Sequence, residues 1–343
     1  MDVRGRIRAR GRNILGVGSA LTDILVQTSD AVLRDISEVK GGMTLVDSAF
    51  LDHCMGRIPE KPEIVSGGAA CNTMQGLARL GGQAVFLGKR GEDATGEAFE
   101  AALRASGVVP LLSTSRTPSG RVLSLITPDA QRSMFTFLGA SSELVPENLS
   151  DEAFAQASIV FMEGYLFFNP ELACAVLEKA RSAGAVIAMD LASFTVVEAA
   201  GALLRAKVKS HVDILIANED EALAYTGFSD PEKALAAMAA EASLVVLKLG
   251  GEGSRIRLGE KTWIVPAFPG KGIVDTTGAG DLWAAGFLYG LAEGAEISLC
   301  GALASACGYE VCCVVGAQIP EEGWDRIRSR FLSPDGALAP PVA

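Results

Sequence analysis

The sequence predicts an α/β fold, with a mostly parallel central sheet between layers of helix and a small β-sheet lid. Three observations point there. The 343 residues are 49% hydrophobic, enough for a large core. Short, continuous apolar runs alternate with helix-like stretches through the second half, as expected for strands buried on both faces. Two other segments carry short β-like runs with little helical signal.

Taken in order, Arg4, Arg6, Arg8, Arg10 and Arg12 alternate through the first dozen residues. They read as a solvated, frayed tail, with an anionic contact or a targeting role as the alternative. NILGVG (13–18) and AVFLGKRG (84–91) are expected to be strands of the main sheet. Residues 21–47 and 110–140 are assigned to the lid. Within it, RVLSLITPDAQRSMFTFLG (121–139) reads as two strands around the turn signal PDA. IVFMEG (159–164), AVIAMDL (185–191), DILIAN (213–218) and LVVLKLG (244–250) read as further sheet strands. Helical stretches such as ELACAVLEKARSAG and EKALAAMAAEAS separate them. The α/β core is thus placed at 13–20, 48–109 and 141–330, with flexible tails at 1–12 and 331–343.

Composition excludes several functions. A net charge of −11 argues against nucleic acid as a partner, because phosphate backbones call for a basic surface. No apolar run is long enough to span a bilayer and no signal peptide is visible, so no membrane partner and a cytoplasmic location are expected. The seven cysteines form no C-x-x-C pair and read as free, packed thiols in a reducing compartment. With only His53 and His211 present, a histidine-based hydrolase or a His-rich metal site is improbable. Leu21 stands where a dinucleotide fingerprint beginning at Gly16 needs its third glycine. GQAVFLGKR has the wrong glycine spacing for a P-loop.

The stretch VDTTGAGDLWAAGFL (274–288) is the most informative. Small residues ahead of a helix let backbone N–H groups approach an anion, and the helix dipole favours negative charge there. A carboxylate at the same place can take a proton from an attacking hydroxyl. Phosphoryl transfer to an alcohol needs both parts. Asp281 as a simple helix N-cap is the alternative.

The run D-T-T-G-A-G-D followed by A-G-F resembles the C-terminal signature of the PfkB, or ribokinase-like, family of sugar and nucleoside kinases. The resemblance spans roughly residues 13 to 330. It implies the ribokinase-like three-layer α/β/α fold with its β lid, and ATP with Mg²⁺ as cofactors. It implies that Asp281 is the catalytic base and that Gly278, Ala279 and Gly280 form the anion hole. SGGAACN (66–72) is similar to the family's Gly-Gly motif and GVGSALTD (16–23) to its first strand. These place Ser19, Asp23, Gly67, Gly68 and Asn72 on the acceptor. NEDE (218–221) matches the family's N-x-x-E, in which Asn218 and Glu221 organise Mg²⁺ through water; it also fits a helix capping box. KLGGEG (248–253) resembles the ATP-binding turn, so Lys248, Gly250, Gly253 and also Thr276 are expected beside the nucleotide. Asp275 and Thr277, with a carbonyl near Gly316, would hold a monovalent cation such as K⁺, as in some relatives.

Within the family, KGGMTLVD (40–47) and MFTFLGAS (134–141) resemble lid segments of the adenosine-kinase branch. That branch implies a nucleoside acceptor, with Phe135, Phe137, Tyr165 and Leu166 forming the base slot and Phe168 nearby. Ser19 stands where adenosine kinases usually carry Asn, so a ribokinase- or fructokinase-like sugar kinase is the alternative. A non-catalytic ligand-sensing homologue is the remote one. The expected partner is a small nucleoside or sugar, and the expected assembly a monomer or a lid-mediated homodimer.

Overall fold

The computed structural model describes residues 2–37, 40–129, 131–333 and 336–339. Position 1 of the N-terminal tail, 38–39 and 130 of the lid, and 334–335 and 340–343 of the C-terminal tail lie outside them. Among the described residues fourteen strands form two sheets. In chain order they are β1 (Asn13–Val17), β2 (Leu21–Gln27), β3 (Met43–Leu45), β4 (Glu63–Gly67), β5 (Gln83–Gly91), β6 (Val109–Ser115) and β7 (Gly120–Ile126). The rest are β8 (Arg132–Phe137), β9 (Ile159–Glu163), β10 (Val186–Asp190), β11 (Ile214–Asn218), β12 (Leu244–Lys248), β13 (Ser254–Leu258) and β14 (Lys261–Val265).

The main sheet runs β14-β13-β12-β11-β10-β9-β1-β5-β6. It is parallel from β6 to β12 and closes with two antiparallel strands. The continuous apolar runs follow from burial on both faces. In β12, Leu244 and Val246 join one core, together with the helices Ala69–Arg79, Ala279–Ala292 and Ile297–Cys312. Val245 and Leu247 join the other, under Pro170–Ser182 and Phe194–His211. Both cores need apolar side chains, so no polar alternation survives.

The lid is a mixed sheet ordered β3-β8-β7-β2-β4. Its extent differs from the sequence reading. Residues 63–67 supply the edge strand β4, and 109–115 pair with β5 in the main sheet instead. One lid face looks onto the main sheet. The other is covered by the helices Asp30–Ile36 and Ser48–Met55, whose Leu33, Leu51 and Cys54 pack with Ile24, Val26, Leu123, Leu125 and Phe135.

The arginine-rich start is not a frayed tail. Val3–Arg10 is helical, with Val3 and Ile7 buried. The arginines bind carbonyls and acids at the base of the molecule: Arg4 with Glu296 and Ala295 O, Arg6 with Asp213 and Ala185 O, Arg8 with Gly294 O, Arg10 with Ala155 O and Ala157 O. Those carbonyls lie in or just beyond the last turns of helices, where cations complement the dipole. At the other end, Leu332 forms an isolated bridge with Leu338.

Deleting residues 2–11 removes the burial of Val3 and Ile7. The expected loss is about 2–3 kcal/mol after the ordering cost, or roughly 5 °C in Tm. Calorimetry checks this, and an unchanged Tm means that the helix adds nothing to stability.

Candidate active site

A parallel sheet gathers the ends of its strands at one edge. Here β1 has β5 on one side and β9 on the other, so the crevice beyond its C-terminal end is where a ligand enters. A cleft of about 1410 Å³ opens there beneath the lid. The C-terminal ends of the strands present Ser19 just past β1, Glu163 on β9, Asp190 on β10, Asn218 on β11 and Lys248 on β12, and all five line it.

The glycine-rich turn fixes the centre. Gly278 is the N-cap of the helix Ala279–Ala292, with φ +73°. A Cβ there would lie 2.5 Å from that of Ala317, so both conformation and space demand glycine. No side chain caps this helix. Asp281 is its third residue, which disposes of the capping alternative. Among the described residues the amides of Gly278, Gly280 and Asp281 donate to no protein group, whereas Ala279 N donates to Thr276 O at 3.2 Å. The cradle is therefore Gly278, Gly280 and Asp281, and Ala279, expected to donate, is engaged in the turn. Its shape is held from behind by Asp275. That fully buried carboxylate accepts from Thr277 N, Thr277 Oγ1 and Gly316 N at 2.8–3.0 Å. Asp275 thus ties the turn to residue 316 and does not line the cleft, while Thr276 and Thr277 do.

A second polar group forms where lid and core meet. Asn72 Nδ2 donates to Asp281 Oδ2 at 2.9 Å. Asn72 Oδ1 is buried with no partner among the described residues, an orphaned acceptor beside the carboxylate. Asp23, on β2, is 8% exposed. Gly67 lies diagonally from it on the neighbouring strand β4, and a Cβ on Gly67 would come within 2.4 Å of all three of its carboxylate atoms. Gly67 thus makes room for Asp23 and does not itself line the cleft. Gly68 does, with φ +95° and Ser19 O where a Cβ would go. Glu163 was not singled out in the sequence. Its carboxylate accepts from Ser19 N (3.0 Å) and Ala70 N (2.8 Å), joining the β1 loop to the helix that carries Asn72.

The aromatic expectations need correcting. Phe135 and Phe137 pack on the outer face of the lid, Phe135 against Phe50 at 5.5 Å. The side chains that alternate with them in β8, Arg132, Met134 and Thr136, face the cleft instead. Lid strands are buried on both sides, so apolar character could not reveal the inner face. Tyr165 and Leu166 line the cleft as expected, and Tyr165 stacks with Phe168 at 6.2 Å.

On the other half, Asn218 and Glu221 form a reciprocal capping box: Glu221 N donates to Asn218 Oδ1, and Asn218 N to Glu221 Oε2, at 2.8–2.9 Å. Glu221 also lines the cleft, so capping and a place in the site coexist. Lys248 Nζ donates to Asp190 Oδ2 at 2.7 Å. Gly250 and Gly253 border the same space, with Phe268 and Tyr309 opposite.

This crowding of acids has an electrostatic consequence. Burial raises Asp23, Glu163 and Glu221 to about 7 and Asp281 to about 6. Neighbouring carboxylates add to it, Asp190 on Asp281 and on Glu221, Asp281 on Asp23 and on Glu163. Asn72, Lys248 and Arg132 pull Asp281 back, leaving it mostly ionised at neutral pH. Arg132 has no ion-pair partner among the described residues, and its charge is felt by both Asp23 and Asp281.

Residues 50–323 match the pattern of the pfkB family carbohydrate kinases. The chain belongs to this family. It is therefore a phosphotransferase with an alcohol group as acceptor. Among solved structures it is similar to an adenosine kinase from Sinorhizobium meliloti, at 33% identity and a TM-score of 0.88, over 93% of this chain and 99% of that one. It is as similar to a probable sugar kinase from Rhizobium etli, at 32% identity and 0.88, over 93% and 98%. A ribokinase of Arabidopsis thaliana is 29% identical over 77% of this chain and 73% of its own. The likeness is thus divided between nucleoside and sugar kinases. Among the described residues no helix is long and apolar enough to cross a membrane.

In the folded kinase Asp281 keeps its proton at pH values where the unfolded chain has lost it. Its contribution to stability is complete below about pH 4 and is lost as pH rises through about 6. Asp281→Asn should therefore gain Tm relative to wild type as pH rises from about 4 to about 7, and hold that gain above it. A constant Tm difference in a melting series across that range would show Asp281 to be unstrained.

Proposed function

We propose that this kinase transfers the terminal phosphoryl group of ATP to a primary hydroxyl of an adenosine-like nucleoside. The observation that carries the reading is the pairing at residue 281. A carboxylate bonded to an asparagine stands beside three amides that donate to no group among the described residues. Asp23, with the orphaned Asn72 Oδ1 and the Gly68 backbone, orients the sugar hydroxyls. Asp281 accepts the hydroxyl proton as the oxygen attacks phosphorus. The amides of Gly278, Gly280 and Asp281 donate to oxygens that gain charge in the transition state. Arg132, carried by the lid, brings a cation over the same point and helps to exclude water as the lid closes.

Glu221 with its Asn218 clamp suits a magnesium ion held through water, since Mg²⁺ keeps several waters and takes one or two carboxylates plus substrate phosphates. That ion would neutralise phosphate charge. Among the described residues no three acidic, His or Cys side chains cluster as a metal site, in keeping with an ion carried largely by the nucleotide. Asp275 already accepts three internal donors, so we assign it to shaping the turn and assign no monovalent cation.

The choice of a nucleoside rests on room. Past the polar sugar contacts the cleft continues between Tyr165, Leu166, Phe168, Met134 and Leu138, an apolar slot suited to a planar base. The sugar-kinase reading keeps one specific support: the Glu163 carboxylate lines the same subsite and can accept further hydroxyls. With the outer lid face covered by helices, we propose that the lid closes its own site as a monomer. The seven cysteines are all free, in line with a cytoplasmic enzyme.

A coupled assay over nucleosides and free pentoses and hexoses separates the readings. Adenosine should give a kcat/KM at least about 100-fold above ribose, because filling the apolar slot contributes on the order of 3 kcal/mol. Ribose or a hexose as the better substrate contradicts the nucleoside assignment.

A further inference from the structure

Lys248 ends β12, and its side chain is 13% exposed, that of its partner Asp190 10%. Asp190 is itself held in place: its Oδ1 accepts from Ala192 N at 3.0 Å. Ala192 has φ +65°, alone among the described non-glycine residues in lying at positive φ. The ammonium is thus fixed from one side by a carboxylate that is itself held by a strained loop.

On its other side lies the amide cradle. A Cβ built on Gly280 would stand 3.0 Å from Lys248 Nζ, with no other group beyond its own helix turn within 4 Å among the described residues. The open volume beside Gly280 is therefore bounded by an ammonium on one wall and by unbonded amides on another. Burial alone would lower the basicity of Lys248, but Asp190 and Glu221, with Asp281 beyond them, outweigh it and keep the group charged.

We propose that Lys248 is a catalytic residue whose ammonium is handed from Asp190 to the terminal phosphoryl group beside Gly280 as transfer proceeds. This rests on the kinase reading above. The bond from the terminal phosphorus to the bridging oxygen of ATP breaks, and its electron pair leaves with ADP. The bond from the acceptor oxygen to phosphorus forms, and the hydroxyl proton passes to Asp281. Charge on the equatorial oxygens is met by the amides on one side and by Lys248 on the other. Asp190 is a positioning residue. An ammonium already paired gains little from a resting phosphate and more from the transition state, so the pair favours turnover over tight nucleotide binding.

Three variants test this: Lys248→Met, Asp190→Asn and the double variant, which leaves no unpaired buried charge if Lys248→Met alone fails to fold. Lys248→Met, or the double variant, should lose about 100-fold or more in kcat, comparable to the loss of an oxyanion-hole donor, with KM for ATP within about threefold of wild type. In EDTA, by titration calorimetry, Asp190→Asn should bind the non-hydrolysable analogue AMP-PNP about tenfold more tightly than wild type. Its ADP affinity should barely change. A merely structural ion pair would lower Tm and leave the AMP-PNP affinity of Asp190→Asn unmoved. That result, or a kcat within about threefold of wild type in the folded double variant, overturns the proposal. A wild type that neither binds AMP-PNP nor phosphorylates any alcohol overturns the kinase reading instead.

Discussion

Desolvation of the carboxylates gathered in one cleft governs this protein, and their mutual repulsion adds to it. Asp23, Glu163, Asp190, Glu221 and Asp281 share one cleft, and burial raises four of them well above their ordinary range. Lys248, Arg132 and the uncapped start of one helix are what the fold sets against them. Such a site is unfavourable when empty and receptive to groups that bring hydrogen-bond donors or cations. Sugar hydroxyls and a magnesium-bound nucleotide are groups of that kind. Strain held here is compensated by two large apolar cores on either side of the sheet.

The same constraint explains the glycines. Asp23 fits only because Gly67 has no side chain, and the cradle meets Lys248 only because Gly280 has none. The backbone turn is in turn rigid because Asp275, fully buried, binds Thr277 within it and ties it to Gly316. Pre-set donors need no rearrangement when charge develops on a transferring group, which is the source of their effect on rate.

Much of this was legible in the sequence. The sheet strands announced themselves as all-apolar runs, because both faces are buried. The run from Asp275 to Asp281 joined small residues, a carboxylate and a helix start, the parts of the proposed cradle and base. What escaped had physical reasons. Glu163 and Asp190 each end an apolar run, and a single acid there looks like any strand terminus. Phe135 and Phe137 were placed in the cleft because aromatic content cannot tell the two faces of a doubly covered lid apart. The first helix hid behind alternating arginines. Val3 and Ile7, one helical turn apart, are its apolar contact, and the arginines find their carbonyls only in the folded chain.

The account stands or falls on whether Asp281 takes the proton at that cradle. Rapid-quench measurement of a single turnover, with wild type and Asp281→Asn across a range of pH, addresses this step without product release. Wild type should lose rate as pH falls through about 6, while the variant should be about 10²–10⁴-fold slower and show no such limb. A variant within about threefold of wild type, or one that keeps the same acid limb, would contradict the account.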